Sequence, residues 1–202
     1  MTTAQRPSLI LASASPRRLQ LLEQIGVTPD QMIPADLDEA PRKGEAPRSL
    51  ATRLAREKAE AAAKIARLKG DGASVIVLAA DTVVAVGRRV LPKAETEAEA
   101  RACLDLLSGR AHKVLTGVAV IAPDGRLSAR LSETRVHFKR LTDEERERYI
   151  AGGEWRGKAG GYAVQGAAAG FVIDLQGSYS GVVGLPLYET LCLLEGLGYR
   201  RP

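Results

Sequence analysis

One stretch of the sequence, ASVIVLAADTVVAVG at residues 73–87, constrains the fold more than any other. Its first part, VIVLAA, is a near-continuous apolar run, which is typical of a strand that is buried on both faces. Such strands occur where helices cover both sides of a sheet, so the run predicts an α/β protein with this strand near its centre. The run is interrupted at Asp81, and we expect the strand to stop there and to resume at residues 83–86.

Helix and strand patterns alternate along the rest of the chain. Helices are predicted after a serine–proline pair, across residues 46–70, and after Thr96 and Thr142, each of which has a capping-box glutamate three residues later. A PDG turn predicts a hairpin of two long strands, and a further strand and a closing helix follow it. The pattern predicts one domain over residues 1–202, with a mixed, elongated and twisted β-sheet flanked by helices. We expect the sheet to bend into two lobes that divide around residues 124–135.

Composition favours a globular protein that acts on a small anion. No window reaches the about 20 apolar residues that a membrane span requires. The first residues lack a signal-peptide pattern, so we expect a cytoplasmic protein without a membrane partner. The formal net charge of +5 favours an anionic ligand, and an aromatic content of 4% leaves few stacking platforms for nucleic acid. We therefore expect a phosphorylated small molecule rather than a nucleic acid.

The segment SLILASASPRR ends a short apolar run in two serines, a proline and two arginines. The proline is favourable as the first residue of a helix, and Ser15 is then its N-cap. A helix N-terminus presents free N–H groups and the positive end of its dipole to an anion. Ser13 and Ser15 add hydroxyl donors, while Arg17 and Arg18 add guanidinium donors. The alternative is a serine cap followed by two solvated arginines, but the segment as a unit favours phosphate binding.

Four further charged residues are candidates for a site. An aspartate beside a strand buried on both faces is costly unless it has a partner. Asp81 is therefore either a general base or metal ligand beside a cleft, or a polar bend residue. Glu39 is a candidate second carboxylate for a divalent cation, or part of a solvated acidic loop. Lys93 comes just before a helix, and Lys58 lies within the long helix, where a solvated lysine is the simpler interpretation.

The stretch GKAGGYAVQG is rich in glycine and has no clear secondary-structure pattern. Glycines allow the backbone to approach a ligand closely. The amide of Gln165 has both a donor and an acceptor with which to read a base edge. The alternative is a flexible turn with a packed tyrosine, Tyr162.

Seven segments together resemble the Maf family of nucleoside triphosphate pyrophosphatases, also called septum-formation-inhibitor-like proteins. They occur in the family's order and cover nearly the whole chain: LASASPRRLQLL, LAREKA, AADTVV, LPKAETEAEA, LSGRAHKVLTGV, GEWRGKAGGYAVQG and GSYSGVVGLPL. The resemblance implies a mixed α/β fold similar to that of inosine triphosphatases, with a cleft between two lobes, and a homodimer.

The resemblance also implies hydrolysis of a nucleoside triphosphate to the monophosphate and pyrophosphate with a divalent cation, Mg²⁺ or Mn²⁺. Asp81 matches the family's catalytic aspartate and would activate water, directly or through the metal. Glu39 would help Asp81 to hold that metal. The residues that would bind and neutralise the triphosphate are Ser13, Ser15, Arg17, Arg18, Lys58 and Lys93.

Substrate preference is also implied by the resemblance. The AADTVV and GGYAVQG forms are similar to those of the subgroup that acts on dTTP and UTP, with Arg17, Thr82 and Gln165 at its specificity positions. A modified pyrimidine nucleotide is compatible with the same motifs. The other main subgroup, which prefers 7-methyl-GTP, has a more acidic stretch in place of GGYAVQG. Gly181 stands where the family's commoner GSYSNVVGLPL has asparagine, so we expect the loop beside the pocket and the fine base preference to differ.

Two functions of different classes follow from these motifs. The first is an enzyme that removes unwanted triphosphates from the nucleotide pool, which requires Asp81 and a divalent metal. The second is a nucleotide-binding regulator of septum formation and cell division, which requires the cationic residues but no aspartate at the phosphates. The complete polar set favours the enzyme.

Overall fold

The apolar run around Asp81 forms the central strand of a mixed sheet in the computed structural model, which describes residues 7–68 and 75–199. The strands in chain order are β1 (Ser8–Leu11), β2 (Gln31–Met32), β3 (Val75–Val86), β4 (Arg89–Leu91), β5 (Lys93–Ala94), β6 (Ala111–Ile121), β7 (Leu127–Phe138), β8 (Lys158–Ala159) and β9 (Val172–Gln176). One sheet has the order β2-β1-β3-β6-β7-β9, with β4 also paired to β3. β1 runs parallel to β2 and β3, and the other pairs in the sheet are antiparallel. The predicted mixed α/β fold is confirmed.

Helices flank this sheet in the described part of the chain. They are α1 (Pro16–Gln24), α2 (Pro47–Leu68), α3 (Glu97–Leu107), α4 (Asp143–Gly152), a 3-10 helix (Ala167–Phe171), α5 (Tyr179–Val183) and α6 (Leu187–Gly196). Both predicted capping boxes are present, at the N-termini of α3 and α4. Two predicted element ends lie outside the described residues: the C-terminal end of the long helix, at 69–70, and the start of the central strand, at 73–74. Within the described ranges, no helix has the length and apolar character needed to cross a membrane.

Helix α2 lies close to the sheet because both surfaces carry small residues at their contact. Its buried face is mostly alanine, including Ala51, Ala55 and Ala59. A Cβ atom placed on Gly117 of β6 would lie 2.3 Å from the carbonyl oxygen of Ala51, so only glycine permits this approach. The close packing brings Lys58, which is also on the buried face of α2, directly over β3.

Of the four hydrophobic clusters among the described residues, two lie at opposite ends of the long strands. We call the end around Leu9, Leu22 and Leu194 the first lobe, and the end around Trp155 and Phe138 the second lobe. β3, β6 and β7 contribute side chains to both ends. The predicted division around residues 124–135 is wrong, because those residues form the hairpin turn and most of β7. The chain passes between the lobes inside these three continuous strands, and again through α5 on its way to α6.

The glycine-rich stretch that had no clear sequence pattern contributes a short strand. β8 pairs with β5 in a separate two-stranded ladder, in which Lys93 lies opposite Ala159. Gly160 has a φ of 70°, and a Cβ atom there would lie 2.8 Å from Val84 Cγ1. The pairing and the close contact place GKAGGYAVQG beside the LPK segment and against the central strand.

Candidate active site

The central strand has an open edge between the two lobes. On that edge, β1 pairs with Val75–Leu78 and β4 pairs with residues 84–86. Among the described residues, positions 79–83 have a strand partner only on the opposite side, where they pair with β6. Successive side chains of a strand point to opposite faces of the sheet. The side chains of neighbouring residues in this stretch therefore border the same open edge, one from each face of the sheet.

A cavity of about 380 Å³ lies at this open edge. Every residue predicted from the sequence for the site lines it: Ser13, Ser15, Arg17, Arg18, Glu39, Lys58, Asp81, Thr82, Lys93 and Gln165. With Lys158, the lining includes five cationic side chains and two carboxylates, an excess of three positive charges. Such an excess in a cleft attracts a polyanion. The structure therefore brings the predicted residues together, while their individual roles stay predictions.

The segment after β1 delivers the N-terminus of α1 to the cavity. The chain leaves the sheet at Ala12, whose N–H donates to Leu78 O, and Pro16 begins the helix. Ser15 occupies the N-cap position, as predicted, but its hydroxyl makes no capping hydrogen bond. Ser13 is buried, and its Oγ accepts from Ser15 N at 3.1 Å. The loop is thus organised by the first serine, which leaves the helix N-terminus without a side-chain cap.

The two arginines of α1 have different surroundings. Arg18 donates from Nε to Gly184 O at 2.9 Å and from Nη1 to Ser13 Oγ at 3.2 Å. Burial lowers the pKa of Arg18, and Asp81 partly opposes that effect. Burial also lowers the pKa of the half-buried Arg17. Neither arginine is the freely solvated side chain of the alternative interpretation.

A chain of ion pairs crosses the cavity. Lys58 Nζ lies 2.5 Å from Asp81 Oδ1 and 2.6 Å from Glu39 Oε1, and Lys93 Nζ pairs with the other oxygen of Glu39. The Lys58 side chain is only 9% exposed, so the simpler interpretation of a solvated helix lysine is wrong. Burial raises the pKa of Glu39, but the hydrogen bonds from both lysines together hold that pKa below its usual value. The charges therefore alternate from the central strand to the rim.

Asp81 does not end a strand, contrary to the prediction from its polarity. β3 continues through Asp81, which pairs with Gly117 in the ladder to β6. A buried carboxylate within a strand is tolerated when it has a charged partner. Lys58 of α2 supplies that partner. The aspartate is consequently held on a rigid element instead of a flexible bend.

Thr82 occupies the opposite face of the same strand. Its Oγ1 accepts a hydrogen bond from Thr116 Oγ1 at 3.0 Å, and the Thr116 hydroxyl also lies 2.8 Å from Gly181 O. Thr116 is completely buried and was not predicted as part of the site. Only its position opposite Thr82 in the β3–β6 ladder connects Thr116 to the site, and that position cannot be predicted without the strand register.

The loop that carries Gln165 is pinned on both sides of that residue. Tyr162 is buried, as the alternative interpretation expected, and its hydroxyl lies 2.7 Å from His112 Nε2. Ala163 N donates to Tyr149 Oη at 3.1 Å, and Ala167 N donates to a carboxylate oxygen of Glu154 at 2.8 Å. Gln165 itself is exposed at the cavity wall. The loop is therefore fixed, which contradicts the flexible turn of that alternative.

The two carboxylates form a donor set that fits a divalent cation. Glu39 and Asp81 contact the same lysine nitrogen, so their oxygens are close enough to share one ion. Within the described residues, no group of three or more His, Cys, Asp and Glu side chains forms a complete metal site. Mg²⁺ is commonly held by one or two carboxylates together with substrate phosphates and water. The site fits a cation that arrives with, or is completed by, phosphate oxygens.

These features define an α/β protein with a pocket of net positive charge and a fixed carboxylate at the open edge of its central strand. The chain belongs to the Maf-like protein family, which matches residues 8–197.

Similarity to individual proteins extends over almost the full length. The chain is 68% identical over 197 residues to the dTTP/UTP pyrophosphatase of Caulobacter vibrioides, covering 98% of this chain and 99% of that protein. It is 63% identical over 195 residues to the dTTP/UTP pyrophosphatase of Novosphingobium aromaticivorans, covering 96% and 94%. Among solved structures, a HAM1 protein from Coxiella burnetii has a TM-score of 0.47 and 19% identity, over 67% of this chain and 74% of that one.

Proposed function

We propose that the chain is a nucleoside triphosphate pyrophosphatase that cleaves dTTP and UTP between the α- and β-phosphates. The products are the nucleoside monophosphate and pyrophosphate. The observation that carries the proposal is the Asp81 carboxylate, held against Lys58 inside a pocket with an excess of positive charge. The two relatives described above, at 68% and 63% identity, are both named dTTP/UTP pyrophosphatase and support this substrate pair. Removal of unwanted triphosphates from the nucleotide pool follows from such an activity.

The cationic residues would stabilise the triphosphate and the departing pyrophosphate. Arg17, Arg18 and the uncapped N-terminus of α1 line the cavity, together with Lys58 and Lys93, which contact Glu39. Donors that are fixed before the reaction stabilise charge that develops on the leaving group without reorganisation. Charge-assisted hydrogen bonds to phosphate oxygens are also stronger than neutral ones.

Asp81 would act on the attacking water. The water oxygen forms a bond to the α-phosphorus, the bond from that phosphorus to the bridging oxygen breaks, and Asp81 accepts the released proton. A general base has to be held within hydrogen-bond reach of its water. The ladder to β6 and the contact with Lys58 fix Asp81 in the cavity, which supports this role.

A divalent cation, Mg²⁺ or Mn²⁺, is part of the proposal. Glu39 and Asp81 would hold it, because they are the two carboxylates of the cavity. When bound, such a cation neutralises phosphate charge and lowers the pKa of a coordinated water.

We also propose that the enzyme is a homodimer in the cytoplasm, where its nucleotide substrates are found. The resemblance of the seven sequence segments to the Maf family supports the dimer. Light scattering coupled to size-exclusion chromatography would test it, and a mass of about one 21.5-kDa chain would contradict the dimer.

Pyrophosphate release from a panel of triphosphates tests the function. The panel contains dTTP, UTP, CTP, GTP, 7-methyl-GTP and ATP, each with Mg²⁺, with Mn²⁺ and with chelator. Metal-dependent release from dTTP and UTP, with the monophosphate as co-product, is the expected result. A preference for 7-methyl-GTP would contradict the substrate assignment, and no release from folded protein would leave a nucleotide-binding regulator as the better explanation.

A further inference from the structure

Glu39 occupies the space between two lysines of the cavity. One carboxylate oxygen lies 2.6 Å from Lys58 Nζ, and the other pairs with Lys93 Nζ. An ammonium group has only donors, and it binds phosphate as a point charge. The carboxylate of Glu39 therefore holds the two lysines in the way that a phosphate group would hold them.

Glu39 and a phosphate consequently compete for the same cations. A phosphate that binds Lys58 and Lys93 repels the negative charge of Glu39 beside them, and the displaced carboxylate then needs a new positive partner. Lys58 is 9% exposed and Glu39 is 31% exposed, so solvent compensates a lost partner incompletely. A bare polyanion offers no replacement partner, whereas a phosphate that carries a divalent cation does.

We propose that Glu39 is a selectivity residue that makes the pocket reject metal-free phosphate compounds and accept cation-bearing triphosphates. This inference rests on the proposed function, because it concerns the same pocket and the same substrate class. Without ligand, Glu39 pairs with Lys58 and Lys93, and Asp81 supplies the second negative charge. When a cation-bearing triphosphate binds, Lys58 and Lys93 pair with phosphate oxygens in place of Glu39. The Glu39 carboxylate then pairs with the cation in place of the lysines.

Location explains why Glu39, and not Asp81, makes this exchange. Asp81 lies inside the central strand, with its side chain 4% exposed and its backbone in the ladder to β6. Glu39 lies on the irregular segment between β2 and α2, where its side chain can rotate without breaking a strand. The exchange also couples the two ligands, since each raises the affinity for the other by the same factor.

The test compares binding of the α,β-methylene analogue of UTP, which resists cleavage at the reacting bond, with EDTA and with Mg²⁺. Isothermal calorimetry is applied to the wild type, to Glu39→Gln and to Glu60→Gln. The last variant removes the same charge from an exposed position of α2, outside the cavity lining. In Glu39→Gln, metal-free affinity should rise about three- to tenfold, and the gain on adding Mg²⁺ should shrink. Glu60→Gln should match the wild type in both conditions.

Other outcomes overturn the proposal in distinct ways. If Glu39→Gln keeps the wild-type metal-free affinity and only loses the Mg²⁺ effect, Glu39 is a metal ligand without a selectivity role. If affinity falls in both conditions, Glu39 has a structural role. Hydrolysis of dTTP and UTP by the wild type tests the proposed function separately. If the wild type is active and Glu39→Gln gives either of these binding results, only the selectivity role of Glu39 is contradicted.

Discussion

Lys58 Nζ lies 2.5 Å from Asp81 Oδ1, and both side chains are buried between α2 and β3. The pair joins the helix to the central strand at the point where the proposed reaction occurs. Removing one partner of a buried ion pair leaves an uncompensated charge, whereas replacing both is often neutral. The contact consequently links the stability of the fold to the geometry of the site.

Asp81→Asn should lower turnover by about two to four orders of magnitude, the usual contribution of a general base. Binding of the α,β-methylene analogue of UTP in the presence of EDTA should be largely retained, because the amide keeps the size of the side chain and no cation is involved. Pyrophosphate release and calorimetry measure the two effects. Normal turnover in this variant would contradict the assignment of Asp81.

Lys58→Met should destabilise the folded chain by about 3 kcal/mol, since it leaves Asp81 buried without its cation. The double variant Lys58→Met with Asp81→Asn should recover much of that loss. Urea denaturation measures both, and Lys64→Met on the exposed side of α2 is the matched control. Additive losses in the double variant would show that the pair does not act as a unit.

Arg17→Ala and Arg18→Ala should differ. Arg17 lines the cavity, so its loss should cost about 2–4 kcal/mol of transition-state stabilisation with little effect on folding. Arg18 also holds Gly184 and Ser13, so its loss should reduce both activity and the melting temperature. Steady-state kinetics and thermal denaturation separate the two. Unchanged kinetics for Arg17→Ala would place that side chain outside the reaction.

Gly117→Ala should destabilise the protein by about 1–3 kcal/mol, because the new methyl group overpacks the contact with α2. The added Cβ would lie 2.3 Å from Ala51 O, so the helix that carries Lys58 has to shift. Activity should therefore fall as well. In the control Gly152→Ala, the added Cβ would have no atom within 4 Å, and this helical position should gain about 0.5–1 kcal/mol. Equal stability of both variants in urea would contradict the close-approach argument.

Acid should destabilise the protein through His112. Burial lowers the pKa of His112 to about 4, with a smaller contribution from His137. Between pH 6.5 and 4 the unfolded chain binds a proton that the folded chain does not, so stability falls as the pH falls through this range. The loss is at most about 3 kcal/mol at 1.4 kcal/mol per pKa unit.

Urea denaturation across this pH range measures that effect. His112→Gln retains a polar partner for Tyr162 but does not titrate, so its stability should depend less on pH. A pH dependence equal to that of the wild type would rule out His112 as the titrating group.

The sequence predicted the parts of the site that are contiguous along the chain. SASPRR, AADTVV and LPK each place their polar residues by local geometry, and all of them line the cavity. The burial of Lys58 could not be predicted, because α2 carries charged residues at many positions and only the contact with Asp81, 23 residues away, distinguishes this lysine. The same contact explains why the predicted strand break at Asp81 was wrong.

Thr116 and His112 were missed for a related reason. Thr116 contacts Thr82 across the β3–β6 ladder, and His112 contacts Tyr162 of the glycine-rich loop. Those contacts depend on strand register and on the course of the glycine-rich loop. A pattern within one segment carries neither kind of information.

Asp81 and Thr82 are neighbours on the only stretch of β3 that lacks a second strand partner in the described part of the chain. In the proposed enzyme, one would perform the reaction and the other would help to choose the nucleotide, from opposite faces of a single backbone segment. A slip of one residue between β3 and β6 would send each side chain to the other's face. The pairs that β3 forms with β6 from Val77 to Ala85 therefore determine which of the two side chains faces each side of the sheet. A surface loop tolerates the insertion of one residue. The same insertion in this part of β3 would exchange the positions of the Asp81 and Thr82 side chains.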